Sequence, residues 1–134
     1  MTDYALTTTL ELGFAETVDA TRAALAEQGF GVLTEIDIAA TMKTKLDLDL
    51  PAQLILGACN PRLAAQALAA EPSVGVLLPC NVVIRALDEN HTIVEAMNPA
   101  IMSQLSDNQD LAAVAGQART LITDALAALT PQTP

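Results

Sequence analysis

A chain of 134 residues that is 51% hydrophobic has the length for one domain with one core, and too much apolar content for disorder. Its net charge of −10, with six Lys and Arg in all, repels phosphate backbones and anionic membrane surfaces. Tyr4, Phe14 and Phe30 are the only aromatics, too few for a base-stacking platform, so nucleic acid is excluded as an expected partner. No apolar run approaches the ~20 residues that span a bilayer. Met1-Thr2-Asp3 lacks the basic start and apolar stretch of a secretory signal, so a cytoplasmic location with no membrane association is expected. Cys59 and Cys80 are then expected as reduced thiols.

Thr-rich sequence over Tyr4–Leu10 predicts a strand. A helix follows from about Phe14 to Gln28, with Phe14, Val18 and Leu25 on one face, Thr21 at the intervening turn and Gly29 placed to end it. Phe30–Asp37 reads as a second strand in which Phe30, Val32, Thr34 and Ile36 alternate with Gly31, Leu33, Glu35 and Asp37. Asp37 caps a short helix whose Ile38, Met42 and Leu46 share a face, and Pro51 closes that segment. Gln53–Ala58 is a third strand. Asn60-Pro61 then starts a helix to Ala70, with Leu63, Ala67 and Leu68 facing inward.

Val74–Leu87 reads as extended chain interrupted at Pro79, which has no N–H for a ladder. Asp88-Glu89-Asn90 is a turn, and Thr92–Met97 completes a hairpin. Asn98-Pro99 opens a short helical piece through Leu105. Ser106 with Gln109 has the form of a capping box for a last helix, which presents Leu111, Val114, Ala118, Leu121, Ala125 and Leu129. Residues 130–134 are expected to be a frayed tail after one domain over residues 1–129. Helices on one face of a largely antiparallel sheet make the fold class α+β.

Two apolar runs end alike: Leu54-Ile55-Leu56-Gly57-Ala58-Cys59-Asn60-Pro61 and Val76-Leu77-Leu78-Pro79-Cys80-Asn81-Val82. Each reads as a buried strand ending in a thiol followed by an amide. Together with Gly29-Phe30-Gly31-Val32-Leu33, Asp37, Lys45 and Asn98-Pro99, from about Leu12 to Ala100, they resemble the bacterial and archaeal domain-of-unknown-function family three hundred and two. The resemblance implies a β-α-β4-α fold similar to one half of the TATA-binding protein, and a homodimer. It implies no DNA binding, because a fold is not a function, and it supplies no activity. His91 departs from the family pattern, in which this turn is acidic or Gly-rich.

The candidate site rests on the thiols. Reactive cysteines sit beside helix N-termini or cations. Cys59 precedes the Asn60-Pro61 helix start, and Lys45 or Arg62 is a candidate cation. The plain alternative is two small buried hydrophobes, which is what free cysteines usually are. Asn60 and Asn98 are explained by capping. Asn81, at a strand break, either meets a ligand or satisfies backbone groups freed near Pro79. Lys43 fits a solvated helix face, while Lys45, near Met42, is expected to turn partly inward, within reach of Glu35 and Asp37. One His and no Cys-x-x-Cys give no metal site, and no cofactor is expected. The sequence therefore supports a dimeric small-ligand binding or sensing module, its pocket formed by Lys45, Cys59, Asn60, Cys80 and Asn81. The rivals are a thiol-dependent enzyme with Cys59 or Cys80 as nucleophile, and a structural interaction domain.

Overall fold

The computed structural model describes residues 3–130, so positions 131–134 of the expected tail lie outside the described residues. The elements are β1 (Ala5–Leu10), α1 (Phe14–Glu27), β2 (Gly31–Asp37), α2 (Ile38–Leu46), β3 (Gln53–Cys59), α3 (Pro61–Ala70), β4 (Cys80–Ala86), β5 (Thr92–Met97), α4 (Met102–Leu105) and α5 (Gln109–Leu129). All strand pairs are antiparallel, in the sheet order β1-β5-β4-β3-β2. This is the expected α+β arrangement.

Local chemistry explains most boundaries. Gly29 takes φ +83°, a left-handed conformation that glycine adopts without a Cβ penalty, and α1 stops there. The Asp37 carboxylate accepts from the Ala40 N–H at 2.8 Å and starts α2. The Asn60 side-chain oxygen accepts from the Leu63 N–H at 3.2 Å, with Pro61 in the first helical turn of α3. No helix among the described residues is long and apolar enough to cross a membrane.

The sheet buries one face. Leu54, Leu56 and Ala58 on β3 lie opposite Ile84, Val82 and Cys80 on β4, and all six are buried. Leu25 from α1 and Ile122, Ala125 and Leu126 from α5 close over this row. A second apolar cluster, Ala67, Val74, Met102, Leu111 and Ala115, joins α3, α4 and the first half of α5. The other sheet face carries Thr7, Arg85 and Glu95, with Arg85 donating to Glu95 at 2.8 Å.

Several expectations are corrected. Val74–Leu77 is not strand: Pro72–Leu77 forms a 3-10 turn, and β4 begins at Cys80. Val74 turns into the second cluster, Leu77 and Leu78 pack partly against it, and Val76 is 87% exposed, so the apolar run does not pack by strand alternation. Cys80 therefore opens its strand instead of ending one. The Ser106–Gln109 capping box does not form. Asn108 caps α5, its side-chain oxygen accepting from Asp110 and Leu111 N–H, and Ser106 Oγ donates to Glu71 instead.

On α1 the buried face is Thr17, Thr21, Ala24 and Leu25, with Phe14 and Val18 only partly covered. The threonines tolerate burial because each hydroxyl donates to the carbonyl four residues back, Thr17 to Gly13 at 2.9 Å and Thr21 to Thr17 at 2.7 Å. On α5 the predicted Leu111, Ala125 and Leu129 are buried together with Ala115, Ile122 and Leu126, while Val114, Ala118 and Leu121 are only partly covered. Leu68 on α3 is 42% exposed rather than inward. β2 buries none of its residues. Phe30, just before it, is in the core and Val32 packs partly against the same cluster, but past the register irregularity between Val32 and Thr34 this edge strand is exposed.

Candidate functional site

β3 and β4 are direct neighbours, and their register pairs Ala58 with Cys80. Cys59 is the last residue of β3 and Cys80 the first of β4, so the antiparallel pairing brings both cysteines to one end of the sheet, one strand residue out of phase. Both are free cysteines; Cys59 is partly exposed and Cys80 is 7% exposed. They line one cavity of about 40 Å³. At roughly 10–15 Å³ per water-sized probe, that is room for a few atoms. The remaining wall is apolar: Phe30 and Ala58 from the sheet end, Leu63 and Ala67 from α3, Met102 from α4 and Ala115 from α5.

Burial pushes the Cys80 thiol up to about 11, and the neighbouring Cys59 adds to the effect. The group is thus protonated near neutral pH, which counts against Cys80 as a nucleophile.

Asn60 belongs to the same wall, but its hydrogen bonds are already committed. Besides capping α3, its side-chain nitrogen donates to the Gln28 carbonyl at 3.3 Å. It ties the start of α3 to the end of α1 and so positions Cys59 beside it. Lys45 and Asn81 are not brought to this cavity. Lys45 is exposed on α2, in a shallow groove with Glu35, Ile36, Asp37 and Thr41; the partly buried side of that helix is Ile38, Ala39, Thr41 and Met42, and Lys45 lies off it. Asn81 is exposed on the sheet face opposite the core, across from Gly57, one strand residue out of phase with Cys80. Lys43 is held by Asp47 and Asp49 at 2.8 and 3.0 Å. His91 pairs with Asp88 in the β4–β5 turn, away from the thiols.

Among the described residues, no three His, Cys, Asp or Glu side chains converge as a metal site. Met102, by contrast, is a cavity residue that the sequence reading passed over. Asn98-Pro99 marked a helix start, and the Asn98 side-chain oxygen accepts from the Ala100 N–H at 3.1 Å, but no local pattern says that the next turn lines the same cavity as two distant cysteines.

No curated protein matches the chain. Among solved structures, the chain is similar to an uncharacterized conserved DUF302 protein from Bacillus stearothermophilus, at 25% identity and a TM-score of 0.86, over 96% of this chain and 99% of that one. The model of the family described as "Domain of unknown function DUF302" matches residues 6–129, extending the resemblance beyond the motifs to β1 and the whole of α5. The chain belongs to the DUF302 family.

Proposed function

We propose that this chain is a small-ligand binding or sensing module whose pocket is the cavity between Cys59 and Cys80. One observation carries the reading: two thiols from different strands line a single small cavity whose other walls are almost wholly apolar. Such a cavity suits a small ligand recognised through sulfur rather than through ion pairs, because no charged side chain lines it. A reducing compartment such as the cytoplasm keeps both thiols available. The module acts as a homodimer. In support, Leu33, Ile36, Leu46, Leu48 and Leu50 are all exposed and crowd into β2, α2 and the loop after it.

The test is the rate of alkylation against pH, in native buffer, for wild type, Cys59→Ser and Cys80→Ser. Cys59 raises the Cys80 thiol, so removing Cys59 should lower the pH at which Cys80 begins to react. Two thiols that label only on unfolding, with no influence on each other, would refute the shared pocket.

A further inference from the structure

We infer that the sheet face opposite the core is the seam of the homodimer, where a second copy of this chain packs sheet against sheet. The inference rests on the reading of the module as a homodimer and names the surface that joins the copies. Register places Ile36, Ile55 and Val83 side by side across β2, β3 and β4, on the face turned away from α1 and α5. Ile93 of β5 lies on the same face in the next row, opposite Arg85. Ile36 is 47% exposed, and Ile55, Val83 and Ile93 are only partly covered. A solvated face of an antiparallel sheet carries polar side chains at alternate positions. β1 obeys this with exposed Thr7 and Thr9, whereas β3 has no polar side chain on either face from Leu54 to Ala58.

Charge selects a second copy as the occupant. The chain has 16 Asp and Glu against 6 Lys and Arg, so two copies repel one another at most approaches. At the outward positions of the five strands, Arg85 and Glu95 are the only charged residues, and they pair with each other at 2.8 Å. Glu35 and Asp37 take the opposite phase of β2, and Glu35 meets Arg22 of α1 there. The face is therefore neutral on a molecule that is not. A basic partner would be drawn to the acidic remainder of the surface instead. An isologous contact repeats one patch on both sides, so this face meets itself with equal numbers of charges of each sign.

The face is also continuous with the apolar surface that supports the dimer. Ile36 ends the Ile36–Ile55–Val83 row and is one of the exposed hydrophobics of the β2–α2 segment, so the two surfaces join at this residue. Two sheets packed in this way lie about 10 Å apart with their strands within roughly 30° of each other, and each row of aliphatic side chains fills the gap between them.

The experiment measures dimer dissociation by sedimentation over a dilution series at low salt. It compares wild type with Arg85→Glu, Glu95→Arg, an equimolar mixture of these two, and Asn81→Asp. Arg85→Glu leaves the face with two negative charges and Glu95→Arg with two positive. Each should weaken self-association about tenfold or more, because like charges then meet across the seam. The mixture should recover a heterodimer. Asn81 is exposed on the same face, so Asn81→Asp adds a negative charge without touching the Arg85–Glu95 pair and should weaken the dimer in the same direction. Circular dichroism checks that each variant keeps the fold. Charge variants that dimerise as tightly as wild type, or a mixture that recovers no heterodimer, overturn the seam. If Leu33→Asp with Leu46→Asp still yields monomer in that case, the homodimer stands through another surface. A wild type that is monomeric throughout removes both the dimer and its seam.

Discussion

Cys80 couples its burial to stability. Its folded-state thiol is raised to about 11 from an ordinary value of 9.0, chiefly by desolvation. The unfolded chain therefore loses this proton first as pH rises. Stability from this residue is fully present below about pH 9 and is lost as pH climbs through the folded value. The whole effect is on the order of 2 kcal/mol. Urea unfolding midpoints measured between pH 8 and 11 should fall more steeply for wild type than for Cys80→Ala. Parallel curves would show that burial does not discriminate against the thiolate. Asn60 is the second residue on which the site depends, since it closes the gap between Gln28 and Leu63 with one side chain. Asn60→Ala should cost about 1–2 kcal/mol in denaturant unfolding, through the lost cap and the exposed Gln28 carbonyl. A cost indistinguishable from zero would mean that α3 starts without help.

At the element scale, the β2-β3-β4 junction depends on Gly57. A Cβ there would collide with the Thr34 hydroxyl and lie 2.9 Å from Pro79 Cγ. Gly57 faces Thr34 across one ladder and Asn81 across the other, so all three strands meet at this position. Gly57→Ala should destabilise by about 1–3 kcal/mol, the usual range for overpacking. Thr34→Ala in the same chain should recover part of that loss, because it removes the nearest clashing atom. A double variant no better than the single one would place the conflict at Pro79. Since Pro79 leads directly into Cys80, the same crowding helps to set where β4 begins and hence where the second thiol lies.

For the whole molecule, exposed apolar surface is unevenly distributed. The segment from β2 to the loop before β3 has no buried residue from Gly31 to Leu50, yet it carries five large exposed hydrophobics. Leu33, at 65% exposure, lies on an edge strand, and such edges pair readily with another chain. Wild type should sediment as a dimer at micromolar concentration. Leu33→Asp combined with Leu46→Asp should shift it to monomer without changing its circular dichroism, since neither side chain contributes to the core. A wild-type monomer would refute the dimer. A variant that stays dimeric would move the interface elsewhere.

What the sequence by itself determined was local. The Asn60-Pro61 and Asn98-Pro99 starts, the stop at Gly29, the Asp37 cap and the β4–β5 hairpin depend on groups within four or five residues of one another, and each is found where the sequence predicts it. The repeated Cys-Asn pair was legible in the sequence, but the likeness of setting was not kept: Cys59 ends β3, whereas Cys80 opens β4. Only the tertiary structure decided how Val74–Leu77 packs, because a run of apolar residues satisfies a strand or a turn against a helix equally well until its partners are present. It also decided that only Ile38, Ala39, Thr41 and Met42 of α2 are partly covered, which leaves Lys45 in solvent, and that strand alternation turns Asn81 away from Cys80. Met102 enters the cavity only because the β3–β4 pairing and the packing of α3 against α5 bring distant segments together. No capping or periodicity rule reaches across that distance, so the place of Met102 in the cavity wall is a product of the fold.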